Sequence, residues 1–158
     1  MAWALGTYIR SILSGDSPYD RFINGDRTAL SPQQQPGLQI FRGKSNCTAC
    51  HVGPNFTDEA LHNTGVAWRD GKLVDDGAGR GRFKTPTLRE ITRTAPYMHD
   101  GSLATLEDVI DFYDAGGRGN PNLDPEIRKL NLSPEEKQAL IAFLGALSAP
   151  PSPAGKAQ

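Results

Sequence analysis

Two cysteines separated by two residues and followed at once by a histidine stand in the run Cys47-Thr48-Ala49-Cys50-His51. Thiols at this spacing with an imidazole after the second form the attachment signature of a c-type haem. In that chemistry the two sulfurs bond to the porphyrin vinyl groups and His51 supplies the first axial ligand to iron. Other uses of the pair fit less well. A thioredoxin-like dithiol is expected beside a βαβ pattern, and no run here reads as a buried parallel strand. A structural zinc site takes four protein ligands. The chain has 2 cysteines and 3 histidines, and neither His62 nor His99 is paired at ligand spacing.

His51 accounts for one side of an iron atom, and the chemistry depends on the other. A protein ligand there makes a centre suited to electron transfer, whereas an open or water-filled site binds peroxide. The candidates are Met98, Tyr113, His62 and His99; Met1 is too close to a terminus to favour. Read from the residues alone, Met98 comes first, because a thioether raises the reduction potential as in soluble electron carriers.

Helices and loops must position these groups. Ser31-Pro32-Gln33-Gln34 reads as a helix start with a capping box, and the helix should run through Leu38, Ile40 and Phe41 toward Cys47. Pro36 lies awkwardly inside it, which predicts a kink or a later start. Val52 to Arg82 is Gly- and Asp-rich and should be mostly a loop that wraps the cofactor, with Asp70 to Arg82 open to a second reading as a disordered insertion. Thr105 opens a helix whose apolar stripe is Leu106, Val109, Ile110 and Tyr113, closed by Gly116-Gly117. A tyrosine on that stripe needs a partner for its hydroxyl, either a backbone carbonyl or iron. Ser133 to Glu136 caps a last helix that buries Leu140, Phe143, Leu144 and Leu147.

Before these elements, residues 1–30 read as a helical arm carrying Trp3, Leu5, Tyr8, Ile9, Ile12 and Leu13, then Tyr19, Phe22 and Ile23. These side chains either cover the haem domain or face a second domain. Residues 31–148 read as a mono-haem domain and 149–158 as a disordered Pro-rich tail.

The chain has 158 residues, 37% of them hydrophobic, with 17 Gly and 12 Pro, so loops take up much of its length and a buried porphyrin would add apolar surface to pack against. A net charge of −1 with mixed signs argues against nucleic acid or an anionic membrane as the main partner. No apolar stretch reaches the roughly 18 residues of a membrane span. Haem is attached to such motifs outside the bacterial cytoplasmic membrane, so a periplasmic location and a leader are expected. Met1 to Leu13 carries Arg10 and is followed by no A-x-A-like site, so the sequence reads as a mature or truncated chain.

The run Phe83-Lys84-Thr85-Pro86-Thr87-Leu88-Arg89, then Thr94-Ala95-Pro96-Tyr97-Met98-His99-Asp100-Gly101-Ser102 and Thr105-Leu106-Glu107, resembles the C-terminal domain of the bacterial di-haem cytochrome c peroxidases and MauG-type enzymes. Ser14 to Phe22 is similar to the segment leading into that domain, and the likeness covers most of residues 8 to 147. The resemblance implies a mostly α-helical cytochrome c fold with long haem-wrapping loops, one covalent haem c on Cys47, Cys50 and His51, and an electron-relaying role. It puts Tyr113 at the distal ligand position and so reverses the ranking over Met98. It also implies calcium bound by the backbone carbonyls of Thr94 and Pro96, with further ligands from water and from a neighbouring domain. The family's peroxidatic haem domain has no counterpart here, since one C-x-x-C-H is present and not two.

The expected function is therefore electron transfer with a redox partner protein or a second haem domain. The alternative is a stand-alone haem peroxidase or oxidase with an open or labile sixth site, in which His99 or Asp100 assists oxygen–oxygen cleavage. A non-haem dithiol or metal module is the third reading. His99-Asp100-Gly101 is also an ordinary turn signal, and a structural role is the better expectation for it.

Overall fold

The computed structural model describes residues 2–11 and 14–149. Ile12, Leu13, the side chain of Ile9 and the Pro-rich run 150–158, on which the expectation of disorder falls, lie outside the described residues. Among the described residues the regular structure is helical: α1 (Ala2–Ser11), α2 (Pro18–Ile23), α3 (Gln34–Arg42), α4 (Leu106–Asp114) and α5 (Pro134–Gly145). Two antiparallel pairs of very short strands, β1 (Leu61–His62) with β4 (Phe83–Lys84) and β2 (Trp68–Arg69) with β3 (Lys72–Leu73), pin the long loop between α3 and α4.

Pro36 decides where α3 begins. The Ser31 box does form, with Gln34 N–H donating to Ser31 Oγ at 3.2 Å and Ser31 N–H to Gln34 Oε1 at 2.9 Å. The α-helix itself starts at Gln34, which places the proline in the first turn, where its missing donor would have had no partner. α5 carries the capping box expected at Ser133–Glu136, and α4, which opens after Thr105 as expected, carries a second one between Thr105 and Asp108. Gly117, at φ +65, ends the α4 region where a Cβ would come within 2.4 Å of the Thr64 carbonyl oxygen, so only glycine fits that approach.

α3 lies along α5 to form the core, with Gly37 set directly against the Ala139 backbone. Phe41 and Phe143 are almost wholly buried with ring centroids 5.1 Å apart, and Phe56 and Tyr19 extend the ring cluster edge-on at 5.9 Å from Phe41 and 5.1 Å from Phe56. Tyr19 brings α2 into this body, and its N–H donates to the Ala146 carbonyl at 3.1 Å. α1 behaves differently. Trp3, Leu5 and Tyr8 remain 85%, 60% and 66% exposed, so α1 does not bury these side chains on the domain. Ala149 is held by its N–H to Glu90 Oε1 at 2.9 Å and by Arg93 Nη2 donating to its carbonyl at 2.7 Å.

Candidate functional site

Just beyond α3, Asn46 adopts a left-handed φ of +52 and starts a single 3-10 turn over Cys47–Ala49. The turn is closed by Cys50 N–H and His51 N–H, which both donate to the Cys47 carbonyl, at 3.3 and 2.9 Å. A three-residue turn thereby sets two thiols and an imidazole on one short piece of backbone. Burial pushes the Cys47 thiol up from its ordinary pKa. Cys50 is pushed up to about 11 by burial and by the carboxylates of Asp58, Asp124 and Glu126. Reactive dithiols have depressed values, so this environment speaks against the dithiol reading.

The half-buried His51 ring has one nitrogen committed. Its Nδ1 lies 2.8 Å from the Phe56 carbonyl oxygen, which can only accept, so Nδ1 carries the proton and Nε2 keeps a free lone pair. Burial pulls the imidazole below its usual value and so favours this neutral, metal-binding form.

Cys47, Cys50 and His51 open onto a cavity of about 400 Å³. Phe41 of α3, Val109 and Ile110 of α4, and Leu140 and Leu144 of α5 give it apolar walls. Tyr113 lines the same cavity and, like Val109, is half-buried, while Leu106 on the same helix is buried in the core and Ile110 is buried where it walls the cavity. Burial pushes the Tyr113 hydroxyl up to about 12, and the Cys47 and Cys50 thiols add to the effect against a smaller opposing contribution from Thr64. The phenol is thus neutral unless a cation sits beside it.

Met98, His99, Thr94 and Pro96 also line the cavity. Met98 is half-buried at φ +70. His99 stacks on Phe83 with centroids 3.5 Å apart and planes 11° from parallel, and its Nε2 lies 3.6 Å from Asp75 Oδ2. Asp100 is not among the lining residues; it is ion-paired with Arg69 and accepts from Ser102 N–H at 3.0 Å. From the long loop the cavity takes His62, Thr64 and Val66, and none of residues 70–82. That segment is an ordered turn in which Asp75 and Asp76 accept from Gly77 and Arg80 backbone N–H groups at 2.9 and 2.7 Å.

Two features escaped the sequence reading. His62 is bracketed by carboxylates, with Nδ1 2.6 Å from Asp124 Oδ2 and Nε2 2.9 Å from Asp58 Oδ2. Burial lowers its pKa, but hydrogen bonds and charges from Asp124 and Asp58 outweigh that and hold it above the ordinary value. Donor atoms of Cys50, Asp58 and His62 lie within 4.8 Å of one another, a group able to hold a metal while Cys50 is a free thiol. The second feature is the loop Pro54–Phe56 that supplies the carbonyl to His51. Its short range, five residues past the histidine, was the only available signal.

Residues 34–148 match the family model for cytochrome c. The chain belongs to the cytochrome c family. This cytochrome c domain is 41% identical over 155 residues to methylamine utilization protein MauG of Methylorubrum extorquens, covering 94% of the chain and 44% of the relative. It is 39% identical over 180 residues to cytochrome-c peroxidase IdrP2 of Denitromonas iodatirespirans, covering 93% and 48%. Among solved structures, a MauG-like protein associated with microbial copper homeostasis superposes with a TM-score of 0.78 at 34% identity, over 89% of this chain and 54% of the other. The domain is thus homologous to the di-haem peroxidase and MauG family. It spans about half the length of the curated relatives it matches. A cytochrome c domain implies covalently bound haem c, and the neutral His51, the paired cysteines and the apolar cavity fit that group.

Proposed function

We propose that this cytochrome c domain carries one haem, bonded through Cys47 and Cys50, and passes single electrons to and from a partner. The observation that supports this reading most is His51 itself, with Nδ1–H tied to the Phe56 carbonyl and Nε2 free, on the cavity that Tyr113 also lines. Haem, when bound, supplies a ferric–ferrous couple. His51 would hold the iron through Nε2, and the Phe56 carbonyl fixes its tautomer and ring orientation. Tyr113 would offer its phenol oxygen as a second protein ligand in place of Met98, and as the phenolate it would favour the ferric state. Val109, Ile110, Leu140 and Leu144 exclude water, which keeps reorganisation small during transfer.

The partner is a second haem domain or a separate redox protein, and the location is periplasmic. Carbonyls of Thr94 and Pro96 offer two of the roughly six to eight oxygens that calcium takes, the others coming from water and from a neighbouring domain.

Electron paramagnetic resonance of the ferric protein, made in a host with haem-attachment machinery, tests the reading. The expected result is a single low-spin signal that changes in Tyr113→Phe. A dominant high-spin signal in the unmodified protein would instead support the peroxidase alternative, and an unaltered spectrum in the variant would return the ligand to Met98.

A further inference from the structure

We infer that Arg89, together with Thr87, is a positioning residue for the axial imidazole: the two clamp the loop Pro54–Phe56 so that the Phe56 carbonyl meets His51 Nδ1–H. The inference rests on the reading of His51 as an iron ligand.

Phe56 supplies the carbonyl from a left-handed backbone, φ +53. A bulky non-glycine residue in that region is an outlier, and such a conformation persists only where the surroundings over-determine it. Each residue of the loop is held from a different direction. Arg89 Nε donates to the Pro54 carbonyl at 2.8 Å, and Thr87 Oγ1 donates to the Asn55 carbonyl at 2.6 Å. The Phe56 ring is 5% exposed, edge-on to Tyr19 and Phe41, and the Arg89 guanidinium carbon lies over it, 5.2 Å from its centroid.

Arg89 is itself fixed. Its side chain is 9% exposed, and Nη1 and Nη2 donate to the two oxygens of Asp20 at 2.8 and 2.7 Å, the forked geometry in which arginine is hardest to replace. Asp20 also accepts from the Ser17 hydroxyl at 2.8 Å. The chain of contacts therefore runs from α2 through Asp20 and Arg89 to Pro54, Phe56 and His51. A firm hydrogen bond from Nδ1–H makes an imidazole a stronger donor to its metal, which favours ferric iron and lowers the reduction potential. Loosening the clamp weakens that bond and raises the potential.

Two variants separate this from a merely structural role. Arg89→Lys keeps the positive charge but cannot make the forked pair and the Pro54 bond together. Thr87→Val keeps the shape, removes the bond to the Asn55 carbonyl and the one that Thr87 Oγ1 accepts from Arg89 N–H at 3.1 Å, and keeps both side chains of the Asp20–Arg89 pair, so it is the variant less prone to misfold. On the haem-loaded protein the midpoint potential, the g-values of the ferric electron paramagnetic resonance signal and the thermal midpoint are measured together. The expected result is a potential shifted upward and displaced g-values in both variants. Unchanged potential and g-values beside a lowered thermal midpoint would overturn the inference. Failure of the unmodified chain to acquire covalent haem would be visible before any variant is compared and would overturn the haem reading with it.

Discussion

Gly37→Ala is a sharp test of the packing that builds the cavity. In isolation the change should help, because alanine is favoured over glycine inside a helix by roughly 0.5–1 kcal/mol. At this position, however, a Cβ would lie 1.9 Å from the Ala139 carbonyl oxygen, 2.6 Å from its carbonyl carbon and 2.7 Å from Phe143 Cβ. Two of these atoms are backbone of α5, which no rotamer change can move. Ordinary contact begins near 3.4 Å, so α3 and α5 would have to part by roughly 1.5 Å at their crossing. A gap of that size forfeits much of the dispersion between Phe41 and Phe143, and overpacking of this kind costs about 1–3 kcal/mol or more. With the clash at the upper end of that range, the net loss is about 2 kcal/mol, or a fall in thermal midpoint of roughly 4–8 °C for a chain of this size. Melting of the haem-loaded protein followed by far-ultraviolet circular dichroism reads this directly. The two effects have opposite signs, so a variant that melts at or above the unmodified protein would refute the close crossing of α3 and α5.

Other outcomes follow from the same geometry. The His62 pKa is raised in the folded protein, so the stability it contributes is fully present below pH 6.5 and is lost as pH rises through the raised value. Asp58, lowered to about 2 by its Ala60 and His62 hydrogen bonds against the opposing effect of burial, contributes above pH 3.8 and loses that contribution between there and about 2. Thermal midpoints against pH should therefore fall on both flanks, and His62→Gln should flatten the alkaline flank; an identical alkaline slope in the variant would contradict the bracketed imidazole. His99→Gln should leave the ferric haem spectrum unchanged while removing the Phe83 stack, at a cost of about 0.5–1.5 kcal/mol. A shifted spectrum would give His99 a place in the haem pocket chemistry.

Much of the site could be read from local patterns. The Cys47–His51 spacing marks one backbone turn, the capping residues at Thr105 and Ser133 mark where α4 and α5 begin, and a 3.6-residue stripe brings Tyr113 to the same face as Ile110. Each of these signals spans a handful of residues. What stayed hidden depends on residues far apart in the chain. Asp124 reaches His62 across 62 positions and Arg89 reaches Asp20 across 69, and composition carries no trace of either pairing. The Phe56 carbonyl was invisible for another reason, since it is a backbone atom aimed by an unusual φ that a phenylalanine in a sequence does not announce. Asp100, set beside His99 as an acid–base candidate, is taken up by Arg69, a partner that only the β2–β3 hairpin brings near.

The crossing of α3 and α5 also bears on how the domain comes together in time. The two helices stand at opposite ends of the domain's sequence, and their meeting at Gly37 and Ala139 closes a loop that contains most of the other cavity walls. Ordering so long a loop costs entropy before any contact at the crossing can form, and non-local closure of this kind slows folding even where the individual helices are local and fast. Cys47 and Cys50 lie one short turn beyond α3. A cofactor bonded there is tethered to one half of the crossing while the other half is still distant along the chain. In a topology like this the pocket gathers around its occupant from remote segments, and the order of attachment and closure becomes part of how the domain reaches its native state.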